Sequence, residues 1–237
     1  KCRDAGFIDK KMYDIQYCVG CELEKTDSEL VDGRCPLHPN VAVETIKEEN
    51  YFFKFSAFQQ SLLALYADNR SFVVPEFRLR EIENFITEDA VDFSISRLAS
   101  KMPWGIPVPG DEAHVMYVWF DALINYISVL GWPDDLDTFQ DAWPGVQIAG
   151  KDNLRQQSAM WQAMLASVGL PHSSQIIIHG FITSNGQKMS KSLGNVVDPF
   201  DQVEKFGTDA VRYYLIAEIP TFDDGDYSET RFVELYN

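Results

Sequence analysis

No apolar run in this sequence approaches the roughly 20 residues that a membrane-crossing helix needs, which argues against a helical membrane span. Residues 1–9 lack the apolar core of a secretory signal, so export to an oxidising compartment is not expected and a cytoplasmic home is. Basic residues are scarce: 20 Lys and Arg stand against 36 Asp and Glu, a net charge of −16. Generic binding to a phosphate backbone depends on clustered Lys and Arg, so any main grip on RNA is expected elsewhere. There is no internal repeat and no low-complexity segment. Cysteine is rare too, with four in the chain, all within the first 35 residues.

What is present suits a folded domain: 237 residues, 46% hydrophobic and 24% charged, enough for one large unit or two smaller ones. The first forty residues carry Gly, Asp and Pro with little periodic apolar pattern, and are expected to form a small stapled module. From Glu48 the text changes, and Phe58, Leu62, Leu65 and Tyr66 recur at helical spacing, which predicts a packed amphipathic helix. Residues 103–110 are rich in Pro and Gly and read as a loop. Beyond them, strand-like text at 115–119, 146–149 and 175–178 alternates with helix-like text at 121–130 and 152–168. Such alternation predicts parallel βαβ units. A polar loop is expected from Gly180 to Asn195, then helical text over 199–216, an acidic turn at 223–226, and a helix from Glu229 that stops short at Asn237.

Two features carry chemistry. Cys18-x2-Cys21 is followed after thirteen residues by Cys35-x2-His38, which offers four S and N ligands from two short turns to a tetrahedral Zn2+. Disulfides would have to recruit Cys2, which stands outside this spacing, and a cytosolic chain seldom keeps them. Four protein ligands leave no open coordination position, so the zinc is expected to be structural. His114, His172 and His179 have no partner at ligand spacing and are expected to be packed or exposed histidines. The second feature is the loop Gly186-Gln-Lys188-Met189-Ser190-Lys191-Ser192-Leu-Gly-Asn195. Two lysines three residues apart among small residues can bring ammonium groups onto a triphosphate, where charge builds on a leaving pyrophosphate. Serines and loop amides add donors.

Lys188 to Ser192 spells Lys-Met-Ser-Lys-Ser, and with Leu193-Gly194-Asn195 and Asp198-Pro199 it resembles the KMSKS motif of the class I aminoacyl-tRNA synthetases, the methionyl-tRNA synthetases in particular. The likeness continues in order through Tyr17-Cys18, Glu49-Asn50-Tyr51-Phe52-Phe53, Ser94-Ile95-Ser96-Arg97, Tyr117-Val118-Trp119-Phe120-Asp121-Ala122 with Asn125-Tyr126, Gly150-Lys151-Asp152 and Gly207-Thr208-Asp209-Ala210-Val211-Arg212.

The resemblance implies an α/β fold: the C-terminal half of a Rossmann-like class I synthetase catalytic domain with an inserted zinc-knuckle connective-peptide domain. It divides the chain into the knuckle (1–48), the rest of the connective peptide and the return to the catalytic fold (49–110), the second Rossmann-like half with the lysine loop (111–196), and the start of a helical stem-contact region (197–237). It implies a methionine–tRNA ligase that converts methionine and ATP, accompanied by Mg2+, to methionyl-adenylate and charges tRNA(Met). The tRNA would be gripped mainly by regions outside this chain. Residue by residue, Trp119, Tyr126, Ala122 and Gln157 would line the methionine pocket, where aromatic rings suit a polarizable thioether. Arg97 would organise activation, Gly150 and Asp152 would meet the ribose, and Lys188, Ser190 and Lys191 would hold the ATP phosphates. Lys191, Lys188 and Arg97 would be the catalytic set.

The sequence departs from the family in two places. Where many members have Phe-His after Gly-Lys-Asp, this chain has Gln156-Gln157, an amide that hydrogen-bonds but does not titrate. The family's HIGH segment and anticodon-binding domain are not within this sequence, so the chain is expected to hold half of an active site and to have little activity alone. The isoleucine, valine, leucine and cysteine enzymes share the lysine loop, but the single knuckle and the Trp119/Tyr126 pair point to methionine. A synthetase-derived RNA-binding or scaffold module without catalysis is the alternative from another class, and the intact loop at 188–192 argues against it.

Overall fold

A computed structural model describes the chain except residues 19–22, 26–29, 37–38, 185 and 190–193, with backbone alone at 15, 17, 23, 24 and 46. In chain order the elements are β1 (Ile8–Cys18), β2 (Leu23–Lys25), β3 (Val43–Phe53), α1 (Gln59–Asp68), β4 (Val73–Val74), α2 (Glu76–Asp89), β5 (Phe93–Ser94), β6 (Ser96–Leu98), β7 (Pro107–Val108), β8 (Asp111–Met116), α3 (Val118–Ala122) and α4 (Asn125–Ser128). They continue with α5 (Leu136–Ala142), β9 (Val146–Gly150), α6 (Trp161–Ser167), β10 (Gln175–His179), β11 (Ile182–Ser184), β12 (Gln187–Lys188), α7 (Pro199–Phe206), α8 (Thr208–Ala217), β13 (Gly225–Tyr227) and α9 (Glu229–Tyr236). These elements form two compact units, each discontinuous in sequence: Lys1–Phe58 with Ala90–Asp134, and Gln59–Asp89 with Asp135–Asn237.

The first unit is built on a long antiparallel ribbon. β1 and β3 pair without slippage from Ile8↔Phe53 to Cys18↔Val43, and the sheet runs in the order β2-β1-β3-β5. The opening forty residues therefore hold an extended strand where a small patternless module was expected. The physical reason is that most side chains over 9–14 and 43–47 face water, so no apolar alternation marks the strand. Cross-strand partners such as Met12↔Glu49 and Asp14↔Lys47 mix apolar and charged types. Towards Phe53 the ribbon becomes a core: Phe53 is fully buried and its ring lies 5.7 Å from Phe58, 5.7 Å from Phe93 and 5.8 Å from Phe120. A second sheet of order β6-β8-β7 completes this unit.

In the second unit β4, β10 and β9 form a parallel sheet, with Ile176↔Val73 on one side of β10 and Gln175↔Val146 through His179↔Gly150 on the other. Val73, Ile176 and Ile178 are fully buried, and so are Leu62 and Tyr66 of α1 and Leu79, Ile82 and Ile86 of α2. The expected helix around Phe58 to Tyr66 and the expected βαβ text are both present. Downstream, α7, α8 and α9 gather around Val211, Tyr214 and Phe232.

Several boundaries differ from expectation. The strand expected at 115–119 ends at Met116, and Val118 and Trp119 open α3; a short apolar run does not distinguish strand from helix by periodicity. The helix expected over 121–130 is two short turns, α3 and α4, and that over 152–168 passes through a 3-10 turn at Lys151–Asn153 and a π-helical turn at Gln156–Met160 before α6. The loop expected after Gly180 contains the β11–β12 hairpin, with β11 also pairing β13 in parallel. The helical text at 199–216 breaks at Gly207, whose φ of 85° is a conformation glycine adopts without a Cβ penalty. No helix among the described residues is long and apolar enough to cross a membrane.

Candidate functional site

In the second unit β9 and β10 end side by side at Gly150 and His179. Ligands of open α/β sheets gather at such carboxyl ends. Gly150 leads straight into the 3-10 turn, and a Cβ there would meet Asp152 Oδ1 at 2.9 Å, so the absence of a side chain lets the carboxylate fold back over the strand end. Lys188 reaches the same place from β12: its Nζ is 3.6 Å from Asp152 Oδ2 and 4.3 Å from the centre of the Phe181 ring. Lys151 Nζ lies 4.6 Å from that ring and 2.7 Å from Asp224 Oδ2. Asp224 Oδ1 accepts the Phe181 N–H at 2.9 Å. The Lys151 ammonium, with that amide, holds the Asp224 carboxyl below the usual carboxylate range.

The hairpin that carries Lys188 is tied down at its turn. Asp226 Oδ1 accepts from the Gly186 N–H at 2.8 Å and from Thr183 Oγ1 at 2.7 Å. Asn195 Nδ2 donates to the Lys188 carbonyl at 3.3 Å, closing the far side of the loop. The structure thus brings Gly150, Asp152 and Lys188 together. Ser190 and Lys191 lie outside the described residues.

Gln157 occupies the π-helical turn and is buried. Its Oε1 accepts from Gln147 of β9 at 3.0 Å, and its carbonyl accepts from Gln162 Nε2 at 2.9 Å. Gln162 also bonds both Ser173 Oγ and the Ser173 N–H, and Ser173 Oγ donates to Gln147. This closed amide network was not foreseen, and nothing in the sequence pattern sets its residues apart from the other polar residues between 147 and 173. Within the turn, Gln156 Oε1 and Ser158 Oγ are buried with no hydrogen-bond partner among the described residues.

The remaining expected residues belong to the first unit. Arg97 on β6 donates to Ser94 Oγ at 3.0 Å and to the Ser96 carbonyl at 2.8 Å, with its guanidinium 5.0 Å from the Tyr117 ring centre. Trp119 and Ala122 lie on α3 and Tyr126 on α4, all partly buried. Beside them runs a buried polar chain that the sequence reading missed. Ser96 Oγ donates to Asn50 Oδ1 at 3.1 Å, Asn50 donates to Glu48 Oε1 at 2.8 Å, and Lys101 pairs with the other Glu48 oxygen. Glu48 and Asn50 alternate on β3 at 3% and 0% exposure, a polar pattern on an inward face.

A second unforeseen cluster clasps β1, β3 and β8. Asp111 Oδ2 receives Lys10 Nζ at 2.7 Å, the Tyr51 hydroxyl at 3.0 Å and His114 Nδ1 at 3.0 Å, while His114 Nε2 meets the Glu49 carbonyl at 2.9 Å. Lys10, then the Tyr51 hydroxyl, hold the Asp111 carboxyl far below its ordinary value, and Asp111 with Glu49 raises Lys10. His114 is packed, as expected. Of the expected zinc ligands, Cys18 and Cys35 are fully buried, and Cys21 and His38 lie outside the described residues. No group of three or more metal-ligating side chains gathers among the described residues.

The family model described as tRNA synthetases class I (M) matches residues 8–237, and the chain belongs to that family. Over 227 residues it is 50% identical to the methionine–tRNA ligase of Thermosynechococcus vestitus, covering 93% of this chain and 42% of that protein. The chloroplastic/mitochondrial methionine–tRNA ligase of Arabidopsis thaliana is 44% identical over 238 residues, covering 98% of this chain and 38% of the relative. Among solved structures, Mycobacterium tuberculosis methionyl-tRNA synthetase in complex with methionyl-adenylate superposes with a TM-score of 0.85 at 41% identity, over 98% of this chain and 46% of that one. The chain spans less than half the length of each of these relatives.

Proposed function

We propose that the chain is part of a methionine–tRNA ligase and contributes its nucleotide-holding strand end, its lysine loop and part of its methionine pocket. The observation that carries this is Lys188 poised 3.6 Å from Asp152 where β9 ends, in a chain of this family. The methionine carboxylate oxygen attacks the α-phosphorus of ATP, the bond to pyrophosphate breaks, and methionyl-adenylate forms. The methionyl group then passes to a terminal ribose hydroxyl of tRNA(Met) with release of AMP. Positioning and charge stabilisation carry the first step: Gly150 and Asp152 receive the ribose, and Lys188, Ser190 and Lys191 draw the phosphate charge onto ammonium and hydroxyl donors. Arg97 organises activation, and Trp119, Tyr126, Ala122 and Gln157 receive the methionine side chain. Mg2+ accompanies ATP. The tRNA is held mainly by regions outside this chain, and the protein works in the cytoplasm.

We assign Cys18, Cys21, Cys35 and His38 to one structural Zn2+ within residues 1–48. Support comes from burial: Cys18 and Cys35 are at 0% exposure, whereas residues 31–34, 36, 39 and 40 are exposed, so among the described residues of 18–40 these two side chains are the buried ones. Residues 49–110 return the chain to the catalytic fold, 111–196 form the second catalytic half, and 197–237 begin the stem-contact region. The test of the function is methionine-dependent ATP–pyrophosphate exchange in the full-length protein. Lys191→Ala and Lys188→Ala should each lower kcat, Lys191→Ala by about 100–1000-fold, the loss typical of removing one charge-stabilising donor. Full exchange in Lys191→Ala, or equal exchange with isoleucine, valine, leucine or cysteine, would overturn the assignment.

A further inference from the structure

Phe181 sits between β10 and β11, and its backbone has no freedom left. Its N–H is taken by Asp224 Oδ1 at 2.9 Å and its carbonyl by the Gly225 N–H at 2.9 Å. The preceding Gly180 lies so close to Asp223 that a Cβ would stand 2.1 Å from the Asp223 carbonyl oxygen. The ring itself carries two ammonium groups, Lys188 at 4.3 Å and Lys151 at 4.6 Å, and Lys151 is held there by Asp224 at 2.7 Å. An aromatic face attracts a cation within about 6 Å. Lys188, by contrast, is loosely anchored: its side chain is 66% exposed and its ion-pair partner, Asp152, is 51% exposed.

We propose that Phe181 is a positioning residue for Lys188, a ring fixed by Asp224 and Lys151 on which the Lys188 ammonium rests beside Asp152. This rests on the nucleotide role given above to Lys188 and Asp152, and it adds two residues, Phe181 and Lys151, to that role. Without nucleotide, Lys188 occupies the carboxylate that a ribose would use. When a ribose takes Asp152, the ring keeps the ammonium at the strand end, where the phosphates arrive, instead of releasing it to water. Lys151 stays on Asp224 throughout and adds a fixed positive potential to the same place.

The experiment uses the chain with 13C-labelled lysine, the Lys188 and Lys151 methylene signals being assigned by Lys188→Arg and Lys151→Arg. A methylene held over a ring is shifted upfield by the ring current. Both lysines should be upfield in the unmodified chain, return to ordinary positions in Phe181→Leu, and stay upfield in Phe181→Tyr, which keeps the ring. Ordinary Lys188 shifts in the unmodified chain would overturn the proposal. In the full-length protein, Phe181→Leu should raise the KM for ATP about two- to fivefold, the loss of one exposed cation–ring contact, with the KM for methionine unchanged and Phe181→Tyr restoring it. An unchanged KM for ATP in an enzyme that still shows methionine-dependent exchange would sink the positioning role and leave the nucleotide assignment standing. Absence of exchange in the unmodified protein would sink the nucleotide assignment, while the ring-shift measurement decides the resting contact by itself.

Discussion

Gln162→Leu tests whether the amide network behind the candidate site is a structural necessity. Gln162 is fully buried, and three bonds converge on its amide: Nε2 to the Gln157 carbonyl at 2.9 Å, Nε2 to Ser173 Oγ at 3.0 Å, and the Ser173 N–H to Oε1 at 3.1 Å. Leucine has similar bulk and no polar atoms. Each lost bond removes about 0.5–1.5 kcal/mol net, so the three together give about 1.5–4.5 kcal/mol. The apolar surface that leucine buries in place of the amide returns about 1 kcal/mol. The expected loss is about 0.5–3.5 kcal/mol, centred on the Ser173 N–H, which gives up its bond to Gln162 Oε1. Native-state hydrogen exchange reads it locally: the Ser173 amide should lose protection by a factor of about 2–400, while amides of the β1–β3 ribbon, in the other compact unit, keep theirs. Ser173→Ala should be partly non-additive with Gln162→Leu, with a coupling of about 1 kcal/mol, because both break the bond between Gln162 Nε2 and Ser173 Oγ. If Gln162→Leu is as stable as the parent and the Ser173 amide keeps its full protection, the network contributes nothing and the reasoning fails.

Three further outcomes are expected. The Asp111 carboxyl is depressed in the folded chain, so the native state binds fewer protons than the unfolded one; its contribution is present above the unfolded value near pH 3.9 and is lost as pH falls towards the folded value. Asp111→Asn should therefore lower the urea midpoint at pH 7 and flatten its fall below pH 4, and an acid limb as steep as the parent's would refute the clasp. Gly180→Ala would place a Cβ 2.1 Å from the Asp223 oxygen, 2.2 Å from its carbonyl carbon and 2.7 Å from the Asp224 nitrogen, all backbone atoms that cannot rotate away. A loss of about 3 kcal/mol, read as a melting temperature lower by about 6–12 °C, is expected, and a drop under 2 °C would contradict so close an approach of the two segments. Cys35→Ser should abolish the roughly single zinc per chain found by metal analysis, and unchanged stoichiometry would remove Cys35 from the ligand set.

The parts of the fold legible in the sequence were those where burial is one-sided or complete. Ile176 and Ile178 on β10, and Leu62 and Tyr66 on α1, are fully buried, and their spacing announced the elements that carry them. The β1–β3 ribbon was illegible because pairing, not burial, specifies most of it. The Val118-Trp119 boundary was missed for a different reason: Tyr117 donates its N–H to the Ile95 carbonyl at 2.8 Å, a tertiary bond that ends the strand run and that no local pattern encodes. At the candidate site, motif spelling singled out Gly150, Asp152 and Lys188, which lie together in the structure. It was silent on Phe181, Lys151 and Asp224, because their association depends on a parallel pairing of β11 with β13 across more than forty residues. Glu48, Asn50, Gln147 and Gln162 were likewise silent, since a polar residue in a strand or helix reads as solvent-facing until the fold turns it inward.

The polar groups of this chain sort by how fully their partners saturate them, and that sorting separates scaffold from site. Asp111 takes Lys10 and the Tyr51 hydroxyl on one oxygen with His114 Nδ1 beside it, Gln162 is satisfied at both ends, and Asp224 divides its oxygens between Lys151 and the Phe181 amide. At the buried Gln162, exchanging a partner for a ligand would leave a desolvated group unpaired, at about 1–3 kcal/mol per orphaned group, which disfavours a binding role there. The Asp152–Lys188 pair is the opposite case: a 3.6 Å contact between two half-exposed charges, worth at most about 1 kcal/mol, and therefore given up at little cost when a sugar or a phosphate arrives. A weak ion pair set on a rigid ring and a saturated carboxylate suits the nucleotide role proposed for this strand end, charge held in place without being committed.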